Sequence, residues 1–249
     1  MRIFSLFLIC IAAGVAADAA LANARTIGQW DVKAGGFVFT NETARWVSPQ
    51  KTVLELQDWE LGAGVLQSTN RVEGSGLKPE YETSTNLSVR AGVFLVKPSA
   101  PMRVRTALFT GHFATRTANF PNGGLDGKWD KTGPAEGVRV WVNGGEGAAL
   151  QNDVWQIVSF IAPAEMPLEK AMVLGDPFSE WNRKFLGGVK VVVLMSGAVS
   201  EAALRGMENA IALRHGVAGI RSATPLERQA AQATGFNAFG VWGTWLLVR

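Results

Sequence analysis

Phe185-Leu-Gly-Gly-Val-Lys-Val-Val-Val-Leu-Met-Ser-Gly-Ala-Val-Ser-Glu-Ala-Ala-Leu-Arg-Gly-Met-Glu-Asn-Ala-Ile-Ala-Leu-Arg-His-Gly216 is the stretch that decides the fold of this chain. Val189 to Met195 is an apolar run of strand length, which predicts a buried strand. Ser200 is then placed to cap a helix, along which Leu204, Met207 and Ile211 recur every three to four residues. Arg214 falls in the last turn, and Gly216 is positioned to end it. A second short helix opens at Thr224, with Pro225 at its first position and Glu227 completing a capping box, and stops near Gly235. Val241 to Val248 reads as a final strand.

Upstream, from Ile27 to Phe160, the pattern is strands and turns. Thr52–Gln57, Leu87–Val96, Met102–Phe109 and Gly137–Val142 are rich in β-formers or alternate polar with apolar residues. Turn clusters such as Glu73-Gly-Ser-Gly and Pro121-Asn-Gly-Gly separate them. Asn143-Gly144 reads as a hairpin turn leading toward Trp155–Ile161. No internal repeat, low-complexity linker or domain boundary interrupts the chain. Strands throughout, with helices only late, exclude a doubly wound sheet, where helices would alternate with strands.

The 249 residues are 47% hydrophobic and 18% charged, too apolar for a disordered chain. Residues 1–22 read as an export signal. Arg2 supplies the positive end, Ile3 to Ala17 the apolar stretch, and Ala20-Leu-Ala22 or Ala22-Asn-Ala24 the small-residue cleavage step. The run is shorter than the roughly 20 residues a membrane span needs. The single cysteine, Cys10, lies inside this segment, preceded by Ile9 rather than a small residue, which argues against lipidation. A mature chain without cysteine excludes disulfides, thiolate metal sites and cysteine nucleophiles, so stability must come from a hydrophobic core. Removing the leader keeps the net charge at +3. The basic residues are scattered, with Arg103-Val-Arg105 reading as a solvated strand face, and nothing gives a nucleic-acid footprint. His112 and His215 have no partners at metal-ligand spacing and read as structural.

The Phe185–Gly216 segment resembles the closing segment of bacterial LamG-like (concanavalin A-like) jelly-roll domains. Phe185, Gly187, Ala198-Val-Ser200, Glu208, Ala212, Arg214 and Gly216 fall at the family's offsets without a gap. Met172–Gly175, Trp155–Ile161 and Val138–Gly144 resemble its preceding strands, and Ala91–Lys97 its early core strand. Gly188 stands where the family often has an acidic residue, Val191 where it has glutamate, and Met195-Ser196 where it has Tyr-Asp. These departures count against a polar or metal-linked role for that strand. The resemblance implies a two-layer antiparallel β-sandwich and a glycan or surface partner as ligand.

Glycosidases on such a fold need two carboxylates about 5 Å apart. Glu55-Leu-Gln-Asp58-Trp-Glu60 comes nearest, with Asp58 and Glu60 expected on one face and Glu55 on the other, so the spacing fails. No GxSxG elbow, P-loop, HExxH or dinucleotide-binding turn is present. Nine tryptophans stand against one tyrosine, and indoles stack on sugar rings. Trp141 and Trp155 lie in strands and are expected in the core, as is Trp242 or Trp245. Trp129 differs, because it sits in the polar stretch Asn122-Gly-Gly-Leu-Asp126-Gly-Lys-Trp129-Asp130. The expected ligand-binding residues are therefore Asn122, Asp126, Trp129 and Asp130. The oxygens of Asn122, Asp126 and Asp130 could also hold calcium, but their spacing matches no calcium-loop signature, so a solvated turn is expected there and no cofactor, with calcium as the one candidate.

The expected fold is mainly β: a two-layer antiparallel sandwich of jelly-roll type over residues 25–249, with one or two short C-terminal helices. The expected function is an exported, non-enzymatic module, periplasmic, on the cell surface or extracellular, that binds a glycan or a cell-surface protein. No catalytic residue, nucleic acid or stable membrane insertion is expected. The alternatives are a carbohydrate-active hydrolase or lyase on the same fold, and a structural component of a surface assembly.

Overall fold

The computed structural model describes residues 24–39, 44–56, 59–68, 77–80, 87–99, 106–113, 116–123, 129–130, 137–167, 172–174 and 185–238. Along them run β1 (Arg25–Asp31), β2 (Phe37–Phe39), β3 (Ala44–Val47), β4 (Val53–Leu56), β5 (Trp59–Gly62), β6 (Val65–Ser68), β7 (Leu77–Glu80) and β8 (Ser88–Pro98). Next come β9 (Thr106–Phe113), β10 (Arg116–Gly123), β11 (Trp129–Asp130), β12 (Arg139–Val142), β13 (Gly145–Glu146), β14 (Gln156–Pro167), β15 (Met172–Val173) and β16 (Gly187–Ser196). Helices α1 (Glu201–His215) and α2 (Pro225–Ala233) follow. The export signal and the expected last strand, Val241 to Val248, lie outside the described residues.

The chain is mainly β, and its strands form two antiparallel sheets. The first has the order β13-β12-β14-β8-β16-β6-β5, with β1 also on β16; the second runs β11-β10-β9-β15-β7-β4-β3-β2. β16 is the pivot of the first sheet. Gly188 and Val189 pair with β6, and from Val191 to Ser196 the same edge pairs with β1. Its apolar run is buried on both faces, as a near-continuous Val/Leu sequence requires. Val189, Val192 and Leu194 join one core; Val191, Val193 and Met195 join another.

The first core lies between the sheets, where Trp30, Phe94, Val96, Phe160 and Val192 meet Trp46, Leu54, Leu56 and Val173 of the second sheet. The second lies under the helices. There Ala91, Val93 and Leu95 of β8 pack with Leu204, Met207 and Ile211 of α1 and with Ala230 and Ala231 of α2. The helices are thus a covering layer: β8 and β16 present apolar side chains on both faces, and each such side chain contributes roughly 1.5–3 kcal/mol only if covered.

Local chemistry explains the helix ends. The Ser200 side chain accepts from the Ala203 N–H, and Gly216 closes α1 in the left-handed region at φ 69°. Thr224 and Glu227 form the reciprocal capping box of α2, with Pro225 in its first turn. Elsewhere the structure departs from the sequence expectation. Asn143 and Gly144, both at positive φ (48° and 82°), close a tight hairpin between β12 and the two-residue β13, not between β12 and β14. β14 pairs with the opposite edge of β12. The described part of the strand expected at Met102–Phe109 runs from Thr106 to Phe113, residues 101–105 lying outside the described set.

Candidate functional site

The hairpin read as a polar loop is partly strand. β11 pairs with β10 so that Asn122 lies opposite Asp130 and Gly123 opposite Trp129. β11 ends the second sheet's strand order, which puts these residues at its margin. Three of the four expected ligand residues are therefore gathered at one hairpin, and Asp126 lies outside the described residues.

The expected carboxylate strand is divided. Glu55 stands on β4 of the second sheet, Glu60 on β5 of the first, and Asp58 lies outside the described residues. Glu60 instead belongs to a row that the sequence did not reveal. The register places Glu60 opposite Gln67, Gln67 opposite Gly188, and Gly188 opposite Lys97. Their neighbours Trp59, Leu66, Val189 and Val96 point into the core between the sheets, so alternation turns this row to the opposite, helix-side face. Glu60 and Gln67 are exposed, Lys97 half-buried.

Trp155 lies over the middle of this row. A Cβ at Gly188 would come within 2.8 Å of Val65 Cγ1 and 3.1 Å of Trp155 Cη2, so even alanine there would push Val65 aside and press on the indole. Gly188 leaves the gap that the ring fills. The expectation that Trp155 is core holds only in part: it packs against the second core but stays half-buried. The Lys190 ammonium sits 4.3 Å from the ring centroid. Lys190 is the extra residue of a β-bulge, because Val189 faces Val96 while Val191 faces Leu95. Bulges re-aim side chains, which is why simple alternation missed this one. Burial first, and then the charges of Lys33 and Lys97, hold the Lys190 ammonium below its usual lysine range.

A cleft opens beside α1. Asn143, Gly144, Arg205, Glu208, Ile220 and Arg221 line a cleft of about 250 Å³. Its carboxylate, Glu208, is 1% exposed and accepts from the Ser159 hydroxyl and from Arg205 Nη1 at 2.9 Å. Burial pushes Glu208 above the usual carboxylate range, against the opposing hydrogen bonds of Ser159 and Arg205. Arg205 also reaches Glu201 at 3.2 Å; Arg139 binds Glu201 at 3.0 Å and Glu146 at 2.8 Å. Both guanidiniums lie against Trp141, 4.6 and 5.3 Å from its ring centroid. Glu201 and Glu208 are thus bridged by one arginine, and Ser159 is fully buried. This closed network fastens α1 to the sheet and offers no free acid–base pair.

Among the described residues, no three His, Cys, Asp or Glu side chains gather as metal ligands, and no helix is long and apolar enough to cross a membrane. The chain matches no family model, no curated protein and no solved structure. The LamG-like resemblance accordingly rests on the residues of the Phe185–Gly216 segment.

Proposed function

We propose that the chain is an exported, non-enzymatic β-sandwich of the concanavalin A-like jelly-roll type that binds a glycan or a surface partner. The observation supporting this reading most is the cross-strand row Glu60–Gln67–Gly188–Lys97 with Trp155 laid over it. Sugar hydroxyls both donate and accept. The row offers an amide, a carboxylate, ammoniums and an indole face together on one sheet surface. The hairpin with Asn122, Trp129 and Asp130 is a second contact of the same chemical kind, and calcium is a candidate ion there. Catalysis is disfavoured because Glu60 is the only carboxylate in the row, whereas glycoside hydrolysis uses two.

A glycan array probed with the mature protein, with and without calcium, tests the proposal. Trp155→Ala is expected to weaken the best ligand several-fold, on the order of 1 kcal/mol, while the protein stays folded at the assay temperature with an unfolding midpoint lowered by the lost packing on the second core. Trp129→Ala should do the same if the hairpin contributes. Glu60→Gln should leave the protein a binder, and no polysaccharide should be cleaved by the wild type. Turnover that disappears in Glu60→Gln would instead establish the hydrolase alternative.

A further inference from the structure

We infer that the ligand of this open sheet face is an acidic polysaccharide, its rings beside Trp155 and Gln67 and its anionic groups against Lys33, Lys97 and Lys190. The inference rests on the glycan-binding reading and narrows it to a charge class.

Three lysines stand around this face on three elements. Lys97 comes from β8, Lys190 from the bulge of β16, and Lys33 from the turn after β1. The Val32 N–H, next to Lys33, donates to the Lys190 carbonyl at 2.9 Å, and Lys97 pairs with Gly188, so both lysines stand on backbone neighbouring Lys190, whose ammonium their charges lower further after burial. Among the described residues none of the three is paired with a carboxylate. Lys33 Nζ donates to the Arg214 carbonyl at 2.7 Å, and Lys190 lies on the indole. Of the acids around the face, Asp31 is committed to Arg214 at 2.5 Å, His215 at 3.2 Å and the Lys33 N–H at 2.7 Å, and Asp153, whose own N–H donates to the Pro98 carbonyl beside Lys97, makes no ion pair with any of the three lysines. Glu60 stands at the far end of the row, on β5. Like charges held together without a counter-charge repel one another, and a bound anion removes that cost.

The shape of the face favours a sugar chain as the carrier of those anions. With strands about 4.8 Å apart, the row from β5 to β8 extends about 14 Å, room for more than one ring. Exposed Gln67, which meets Trp155 over Gly188, supplies an amide that both donates to and accepts from ring hydroxyls. The ammonium, a compact charge on a flexible stem, accepts carboxylate or sulfate alike, so both are probes.

The test measures binding of the full mature chain to polygalacturonate, dextran sulfate, neutral dextran, and vesicles of phosphatidylcholine mixed with phosphatidylglycerol. The expected result is that one or both acidic polymers bind more tightly than dextran, with affinity falling as salt rises. The triple variant Lys33→Gln, Lys97→Gln, Lys190→Gln should lose roughly 30-fold on the acidic polymers, at about threefold per exposed contact, and nothing on dextran. Trp155→Ala should weaken acidic and neutral polymers alike. Single lysine variants repeat the measurement if the triple variant fails to fold. Equal, salt-insensitive binding of dextran and the acidic polymers overturns the charge class but leaves the glycan reading. Vesicle binding lost in the triple variant, with no polymer bound, overturns both.

Discussion

Trp30→Ala is expected to lower the stability of the folded chain by about 3–5 kcal/mol. Trp30 stands on β1 of the first sheet with 1% of its surface exposed, its indole packed over Gly28 of its own strand. Its Nε1–H donates to the Trp46 carbonyl of β3 in the second sheet at 2.8 Å. Trp46 in turn donates to the Gly35 carbonyl at 2.9 Å and stacks on Phe37 with centroids 4.9 Å apart. One side chain therefore fills the core between the sheets and ties them with a hydrogen bond. Alanine leaves a cavity and a buried carbonyl without its donor, and the two costs add. Trp30→Phe keeps most of the apolar volume and loses the donor, so it should cost about 1–3 kcal/mol. Urea unfolding followed by circular dichroism separates the two variants. An alanine variant within 1 kcal/mol of wild type would show that the two sheets do not depend on this contact.

The parts of the fold that were legible in the sequence are those written by local chemistry. Ser200 and Gly216 bound α1, and Thr224 with Glu227 opens α2, because caps act through neighbouring backbone groups. The Val189–Met195 run announced a strand buried on both faces, since each residue of it must be covered. What covers each face is a tertiary choice. The sequence gives no local sign that Glu55 and Glu60, five residues apart, enter different sheets, or that β13 intervenes between the Asn143-Gly144 turn and β14.

The candidate site was less legible for the same reason. Alternation is reliable only within an unbroken ladder, and the bulge at Lys190 breaks it. Gly188 looked like a missing acidic residue, yet in the structure it is the space that admits Trp155. The polar neighbours of Trp129 mark it in the sequence, and in the register it stands next to Asp130, opposite Gly123. A strand tryptophan is usually buried, so the sequence alone points Trp155 into the core. Its partial exposure depends on α1 covering the Leu95 side of the sheet and not the Lys97 end.

Asp31→Ala is expected to destabilise the chain by about 3–5 kcal/mol and to flatten its acid denaturation. Asp31 ends β1, its side chain fully buried, and accepts from Arg214 Nε at 2.5 Å, from His215 Nε2 at 3.2 Å and from the Lys33 N–H at 2.7 Å. It fastens the last turn of α1 to the first strand. Removing it takes the carboxylate away from a guanidinium only 21% exposed, and from an imidazole 1% exposed whose Nδ1 already has no partner. Burial alone would raise the carboxyl, but the hydrogen bonds from His215 and Lys33 and the charges of His215 and Arg214 together hold it below its ordinary value of 3.8. A carboxylate depressed in the folded state stabilises above its unfolded value. That contribution is present in full well above pH 3.8 and is lost as pH falls through the folded-state value. Wild type should therefore lose stability steeply below about pH 4, while Asp31→Ala, already lacking the contribution, changes less over the same range. Asp31→Asn separates charge from shape: it keeps an acceptor for the Lys33 N–H, and should show the same flattened acid limb with a smaller loss at neutral pH. Unfolding midpoints measured from pH 7 down to pH 3 decide the matter. An alanine variant whose acid limb runs parallel to wild type would show that Asp31 carries no such linkage.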